Sequence, residues 1–261
     1  MLVDSHCHLD FPELSGDLDA IFTLMREHEV GRALCISVRL EDFPRVRTLA
    51  ETHDHLYATV GVHPDYEKIH EPTVEELVQL AAHPKVIAIG ETGLDYYRLK
   101  GDLEWQRDRF RTHIRAACAS GKPLVIHTRS AAEDTLRIMQ EEGAVKVGGV
   151  MHCFTESWAT AQAAIGLGFY ISFSGIVTFK NALAIKDVAR QVPLEHMLIE
   201  TDSPYLAPAP FRGKTNQPGY VKYVAEEIAR LKGVSVEEIA KKTTANFFKL
   251  FKLKAEAASL N

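Results

Sequence analysis

Seven imidazole and carboxylate groups stand where they could act on one reaction: His6, His8, His63, Glu91, His127, His152 and Asp202. Each follows a short apolar run, and six different runs contribute. In His6-Cys7-His8 the alternation of side chains across a strand turns both histidines to one face and Cys7 to the other. The same parity argues against Cys153, beside His152, as a ligand. Nitrogen and carboxylate donors without thiolate suit zinc, manganese or a similar divalent ion. One ion rarely takes more than about four protein ligands, so a set this large fits two. Pairs of ions bridged by a carboxylate recur in phosphoester hydrolysis. A lone histidine at a strand end is usually a hydrogen-bonded structural group. Seven groups at one register are not explained by packing, because buried polar groups without partners are costly.

The remaining histidines, His28, His53, His55, His70, His83, His113 and His196, fall on expected helices, loops or strand starts and read as structural. Glu200 precedes Asp202 by two, so parity admits two roles: an inward acid supporting the site, or a structural salt bridge.

The elements that must position these groups alternate along the chain. Apolar runs at Leu2–Asp4, Ala33–Val38, Tyr57–Val62, Val86–Gly90, Leu124–Ile126, Val147–Met151, Phe169–Phe173 and His196–Ile199 lack polar alternation, as strands buried on both faces do. Between them run helical patterns such as Leu18-Ile21-Phe22-Met25, Val74-Leu77-Val78-Ala81 and Phe110-Ile114-Ala117. Pro72-Thr73 with Glu75 and Glu76 reads as a capped helix start. Gly31, Gly121 and Gly143 read as helix stops. Eight strands alternating with helices predict an α/β fold, a (β/α)8 TIM-like barrel, as a single domain over residues 1–261. A doubly wound sheet is the competitor; the count of eight and the absence of a Gly-rich first turn weigh against it. A proline-rich loop follows the eighth run. Helical segments near Gly219–Leu231, Ser235–Lys241 and Thr244–Leu253 are then expected to pack on the outside. Barrel enzymes build their sites at the C-terminal strand ends, where the seven groups lie; the second and seventh runs offer only Ser37 and Ser174.

Length and composition agree. The 261 residues suit one such barrel, and 46% hydrophobic with 25% charged residues excludes a wholly disordered chain. A formal charge of −5 gives no global basic field, so a polyanion would have to be held by local residues or bound metal. No run approaches the roughly 20 apolar residues that cross a bilayer. The opening residues, with Asp4 and His6, do not read as a signal peptide, and a cytoplasmic location is expected. Cys7, Cys35, Cys118 and Cys153 form no CxxC pair and read as free thiols.

The segments Asp4-Ser5-His6-Cys7-His8-Leu9-Asp10, Gly61-Val62-His63-Pro64, Gly90-Glu91-Thr92-Gly93-Leu94-Asp95-Tyr96, Ile126-His127-Thr128-Arg129, His152-Cys153-Phe154-Thr155 and Glu200-Thr201-Asp202-Ser203-Pro204-Tyr205-Leu206 resemble, in order, the TatD-related metal-dependent deoxyribonucleases of the amidohydrolase superfamily. The resemblance implies a dinuclear divalent-metal site (magnesium, manganese or zinc) and hydrolysis. By motif, His6 and His8 would hold a first ion, Glu91 would bridge, and His127 and His152 would hold a second. Asp202 would bind the first ion and orient or deprotonate the attacking water, and His63 would stand near the substrate. Arg212-Gly213-Lys214-Thr215-Asn216 also resembles a family segment. Two departures stand out. Relatives in the superfamily with a carboxylated lysine carry it where this chain has Glu91, and Lys85 and Lys122 fall at strand starts. Glu156 replaces a glycine common after the His152 motif; it is either a first-turn acid or a change at the substrate mouth.

The expected activity is DNA phosphodiester hydrolysis by a two-metal-activated water, acting 3′ to 5′ on single strands or frayed ends. Arg98, Arg129, Arg212 and Lys214 are candidates for flanking phosphates. Tyr96, Tyr97, Phe154, Tyr205 and Phe211 are candidates for stacking unpaired bases, each worth ~1–3 kcal/mol. Hydrolysis of a small non-nucleic ester, amide or phosphate on the same ions is the alternative. A non-catalytic adaptor is a third reading, disfavoured by an intact ligand set. No obligate protein partner is evident.

Overall fold

The computed structural model describes residues 1–254, so residues 255–261 of the expected domain lie outside the described residues. Eight parallel strands run in sequential order: β1 (Leu2–Cys7), β2 (Val30–Cys35), β3 (Leu56–Val60), β4 (Val86–Asp95), β5 (Leu124–Arg129), β6 (Gly149–Met151), β7 (Phe169–Phe173) and β8 (Met197–Ile199). The ring is nearly closed just beyond β8. A parallel bridge joins Cys7 to Ser203, and the backbone N–H groups of Asp202 and His8 donate to His6 O and Ser203 O at 2.9 and 2.8 Å. Asp4 adds its carboxylate to Thr201 N–H at 2.8 Å and to the Thr201 hydroxyl at 2.6 Å. The structure is the (β/α)8 barrel that the alternation predicts, as a single domain.

The helices are α1 (Pro12–Ser15), α2 (Leu18–Glu27), α3 (Phe43–Thr52), α4 (Val74–Ala81), α5 (Glu104–Ser120), α6 (Ala132–Glu141), α7 (Trp158–Gly166), α8 (Leu183–Gln191), α9 (Val221–Lys232) and α10 (Val236–Leu250). Helix α4 starts as its sequence requires: Thr73 Oγ accepts from Glu76 N–H at 3.1 Å, and the Glu76 carboxylate accepts from Thr73 N–H at 2.8 Å. Gly121 ends α5 in the left-handed conformation. Gly31 does not stop a helix. It lies within β2, and the left-handed residue between α2 and β2 is Glu29 (φ 57°). The two helices expected over Ser235–Lys241 and Thr244–Leu253 are one, since no glycine or proline interrupts α10.

Two apolar layers hold the fold. Between strands and helices lie residues such as Cys7, Phe43, Leu77, Phe110 and Phe169. Inside the barrel, Val3, Leu34, Ile87, Val125, Val150, Tyr170 and Leu198 pack with Phe247, Leu250 and Phe251. Helix α10 thus does more than cover the outside. Asn246 donates to Leu194 O and Met197 O, and Thr244 to Met1 O, so the helix closes the N-terminal mouth. The opposite, C-terminal mouth remains for chemistry. Among the described residues no helix is long and apolar enough to cross a membrane.

Candidate metal centre

Strand β4 sets the geometry of the site. The apolar run ends at Gly90, yet the strand continues to Asp95, with a register shift against β5 between Ile89 and Thr92. Gly90 (φ 149°) and Gly93 (φ 135°) permit this. A Cβ on Gly93 would stand 1.9 Å from His127 O, so β4 and β5 approach there only because it is absent. The extension carries Glu91, nearly fully buried, into the mouth of the barrel.

Around Glu91 the structure gathers the other six groups, divided between the sides of its two oxygens. Oε2 lies 3.3 Å from His6 Nε2; His6 Nε2 is in turn 3.3 Å from His8 Nε2 and 3.5 Å from Asp202 Oδ1, and His8 Nε2 is 3.4 Å from Asp202 Oδ1. Ligand atoms about 2.1 Å from a tetrahedral ion lie about 3.4 Å from one another, so these spacings fit a shared cation. Oε1 lies 2.9 Å from His152 Nε2, and 3.3 Å from both His127 Nδ1 and His63 Nε2. His152 Nε2 is buried at 2.9 Å from that oxygen yet without hydrogen-bond alignment, as when two lone pairs face a common point. The His6 and His152 rings stack at 3.8 Å, so the two places adjoin.

What binds the second ring nitrogen decides which histidines are suited to ligation. His8 Nδ1 faces the Ile36 carbonyl at 3.3 Å, His152 Nδ1 faces Glu200 Oε1 at 3.1 Å, and His127 Nε2 faces Asp95 Oδ2 at 3.1 Å. Each partner accepts, which assigns the proton to that nitrogen and leaves the other lone pair toward Glu91 or Asp202. His63 is the reverse: its Nδ1 accepts from Asp65 N–H at 3.1 Å, so the neutral ring carries its proton on Nε2, toward Glu91. His63 is therefore set as a donor.

The charge balance follows. Burial pushes the Glu91 carboxyl up, but the His152, His63 and His6 imidazoles outweigh it and hold the group well below the usual range. Asp202 is likewise lowered, burial being outweighed by His8, His6 and His152. Burial and the neighbouring His152 depress His6. For His152, burial is overcome by Glu91 and Glu200, which hold it well above its ordinary value. Asp95 stays ionised, lowered to about 2 because His127 and the backbone donors of Arg98 and Tyr97 outweigh burial.

Of the residues expected near substrate, His63 and Arg129 line the cleft above Glu91, a space of about 660 Å³. Arg129 places its guanidinium 4.0 Å from the Tyr97 ring centre. Arg98, Phe11, Tyr66, Ile176, Tyr205 and Leu206 also line the cleft. Tyr96, Tyr97, Phe154, Phe211, Arg212 and Lys214, also expected there, do not. The Tyr96 hydroxyl donates to Asp134 Oδ2 at 2.6 Å, directing it to helix α6. Arg212 lies over Phe179 at 4.0 Å, and Lys214 is 6.0 Å from the Phe211 ring. Phe154 is buried in the core, and Phe211 stacks on Tyr220, so neither presents a free face as expected. Glu156 stands outside the cleft lining, accepting from Ser130 N–H. Cys7 donates to Leu34 O on the helix side, and Cys153 contacts Ser174; neither joins a ligand cluster. Lys85 and Lys122 bond carbonyls at the opposite barrel end. Asp95 was missed in the sequence; Glu200 resolves as the inward acid, bonding His152 and Cys153 N–H.

Comparisons with known proteins agree with this geometry. A family model described as TatD related DNase matches residues 3–252. The chain is 48% identical over 258 residues to the uncharacterized metal-dependent hydrolase YcfH of Escherichia coli K12, covering 97% of each. It is 43% identical to the uncharacterized metal-dependent hydrolase YabD of Bacillus subtilis, covering 97% of this chain and 100% of that one. The crystal structure of YjjV, a TatD homologue from E. coli K12, superposes with a TM-score of 0.90 at 31% identity, covering 97% and 98% of the two chains. With a family match over nearly its full length and donors arranged for divalent cations, the chain belongs to the TatD-related DNase family and is a metal-dependent hydrolase.

Proposed function

We propose that the chain hydrolyses DNA phosphodiester bonds, releasing nucleotides from the 3′ end of single strands or frayed ends. The observation that carries this reading is the placement of Arg129, a cleft-lining guanidinium without a carboxylate partner among the described residues, above a floor of carboxylates and imidazoles. A neutral substrate would have no use for it; a flanking phosphate would.

His6, His8 and Asp202 with Glu91 Oε2 would hold one divalent ion, and Glu91 Oε1 with His127 and His152 a second. Bound there, magnesium, manganese or zinc supplies Lewis-acid charge at the phosphate and acidifies water. The chain's own groups do the rest. Asp202, kept ionised by its histidine neighbours, accepts the proton of the attacking water. Glu91 spans the two places and holds both halves of the site in register. His63 Nε2–H donates to a phosphate or leaving oxygen as charge develops on it. Tyr205, half exposed beside Phe11, offers a face for an unpaired base.

Cleavage of a 5′-labelled single-stranded oligonucleotide tests the reading, using chelator-treated protein reloaded with magnesium or manganese. Stepwise shortening from the 3′ end that needs metal, and falls at least 10²-fold in Asp202→Asn, is the expected result. A metal-loaded protein that leaves DNA intact but hydrolyses small phosphate or carboxylate esters would replace this reading with the small-substrate hydrolase.

A further inference from the structure

A cationic and aromatic patch lies outside the cleft, on the loops after β7 and β8. Its members are Phe179, Lys180, Phe211, Arg212 and Lys214, with Tyr220 stacked on Phe211 at 4.1 Å and 6°. Both loops leave the cleft wall directly. Ile176 lines the cleft and Phe179 follows three residues on; Tyr205 and Leu206 line it, and Phe211 to Lys214 follow. Ala209 N–H donates to Thr178 Oγ1 at 2.7 Å, tying the two loops together.

Most arginines elsewhere on the chain pair with acids. Arg39, Arg45, Arg98, Arg107, Arg109, Arg111, Arg115, Arg137, Arg190 and Arg230 all meet carboxylates. Among the described residues Arg212, Lys214 and Lys180 meet none; Arg212 instead sits 4.0 Å from the Phe179 ring centre, as Arg129 does over Tyr97. Lys180, Arg212 and Lys214 are exposed. Three adjacent cations left unpaired give this part of the rim a local positive field in a chain of net charge −5.

The cleft also sets a limit on what it can enclose. About 660 Å³ is the size of a small-ligand pocket and takes one or two nucleotides. The body of a strand whose end sits at Glu91 must therefore leave over the rim. Unpaired cations along its path bind the backbone of single-stranded nucleic acid without sequence preference; here aromatic rings of the patch hold Arg212 and Lys214 in place.

We infer that the Phe179–Lys180 and Phe211–Lys214 patch is a second DNA-binding surface, which holds the single strand a few nucleotides from the end being cleaved. The inference rests on the nuclease reading and extends it: the cleft reads the end, and the patch makes affinity depend on length.

The test is fluorescence anisotropy with 5′-labelled, cleavage-resistant phosphorothioate dT3 and dT15 on the magnesium-loaded protein. Wild type is compared with Lys180→Ala/Arg212→Ala/Lys214→Ala, three exposed positions. Wild type should bind dT15 at least tenfold more tightly than dT3, and the variant should lose most of that length gain. The dependence of log affinity on log salt for dT15 should also flatten by about 2, three phosphate contacts at ~0.7 each. Equal length gains and equal salt slopes in the two proteins would overturn the inference, as would a wild type indifferent to length. If cleavage of single-stranded DNA persists in that case, the nuclease reading stands without the patch. If wild type neither binds nor cleaves any DNA, that reading falls and this inference with it.

Discussion

Replacing Glu200 with glutamine separates holding a metal from holding the fold. Glu200 Oε1 accepts from His152 Nδ1 at 3.1 Å and from Cys153 N–H at 2.7 Å, and Oε2 is buried without a partner among the described residues. In Glu200→Gln the amide oxygen can take over both bonds at Oε1, but the NH2 group then occupies a buried place with no acceptor. That costs stability by about 1–3 kcal/mol. The charge facing the His152 ring disappears as well. Loss of such a supporting carboxylate weakens metal affinity by about 10–100-fold, or ~1.4–2.7 kcal/mol. The pH dependence adds a third signature. In the metal-free protein burial is outweighed by Glu91 and Glu200, which raise His152, so a proton competes with metal for Nε2. Wild-type affinity should rise with pH as that proton leaves. In the variant His152 gives up its proton at lower pH, so the rise is shallower and the deficit is largest in alkaline solution. Calorimetric manganese titration at pH 6.5 and 8.5, beside the unfolding midpoint of each protein, reads all three. A variant with a lowered midpoint but wild-type affinity at pH 8.5 would show that Glu200 only stabilises the fold and would refute the reasoning.

Other perturbations follow from the same structure. His113 accepts from Val62 N–H at 3.0 Å and donates to Arg109 O at 2.8 Å, so its fully buried ring must stay neutral; burial lowers its pKa from 6.5 to about 4. The unfolded chain then binds the extra proton between those values, so the contribution is complete above pH 6.5 and is lost as pH falls toward 4, by at most about 3 kcal/mol. Urea unfolding at pH 4.5 and 7.5 should show a smaller difference in His113→Asn than in wild type, and an unchanged difference would contradict this. Phe247→Ala empties the plug at the N-terminal mouth and should cost about 3–5 kcal/mol of stability, while manganese affinity at the other mouth stays within twofold. Arg129→Ala should raise the KM for single-stranded DNA about tenfold, one charged phosphate contact, with a smaller change in kcat.

The cluster of candidate donors was legible because a barrel places strand ends on one rim, and the residue after each apolar run could be read off directly. Alternation also oriented Cys7 away from His6 and His8, as observed. What lay hidden depended on register. The run Val86–Gly90 ends on a glycine that looks like a stop, whereas Gly90 and Gly93 instead carry β4 across a close approach to β5. Asp95 thereby reaches His127, and Tyr96 is directed to α6 while Tyr97 supports Arg129. Strand parity alone left two roles for Glu200, because its partner His152 sits 48 residues away, just past β6, two strands around the ring. Helix α10 read as an outer helix because Phe247 and Leu250 show an apolar face without saying which layer receives it.

Central to the account is the division of donors between the two oxygens of Glu91, and anomalous diffraction from manganese-soaked crystals measures it most directly. Two peaks are predicted, one among Glu91 Oε2, His6, His8 and Asp202, the other among Glu91 Oε1, His127 and His152, with His63 Nε2 outside bonding distance of either. A single peak, or a peak bonded to His63 in place of His127 or His152, would contradict it.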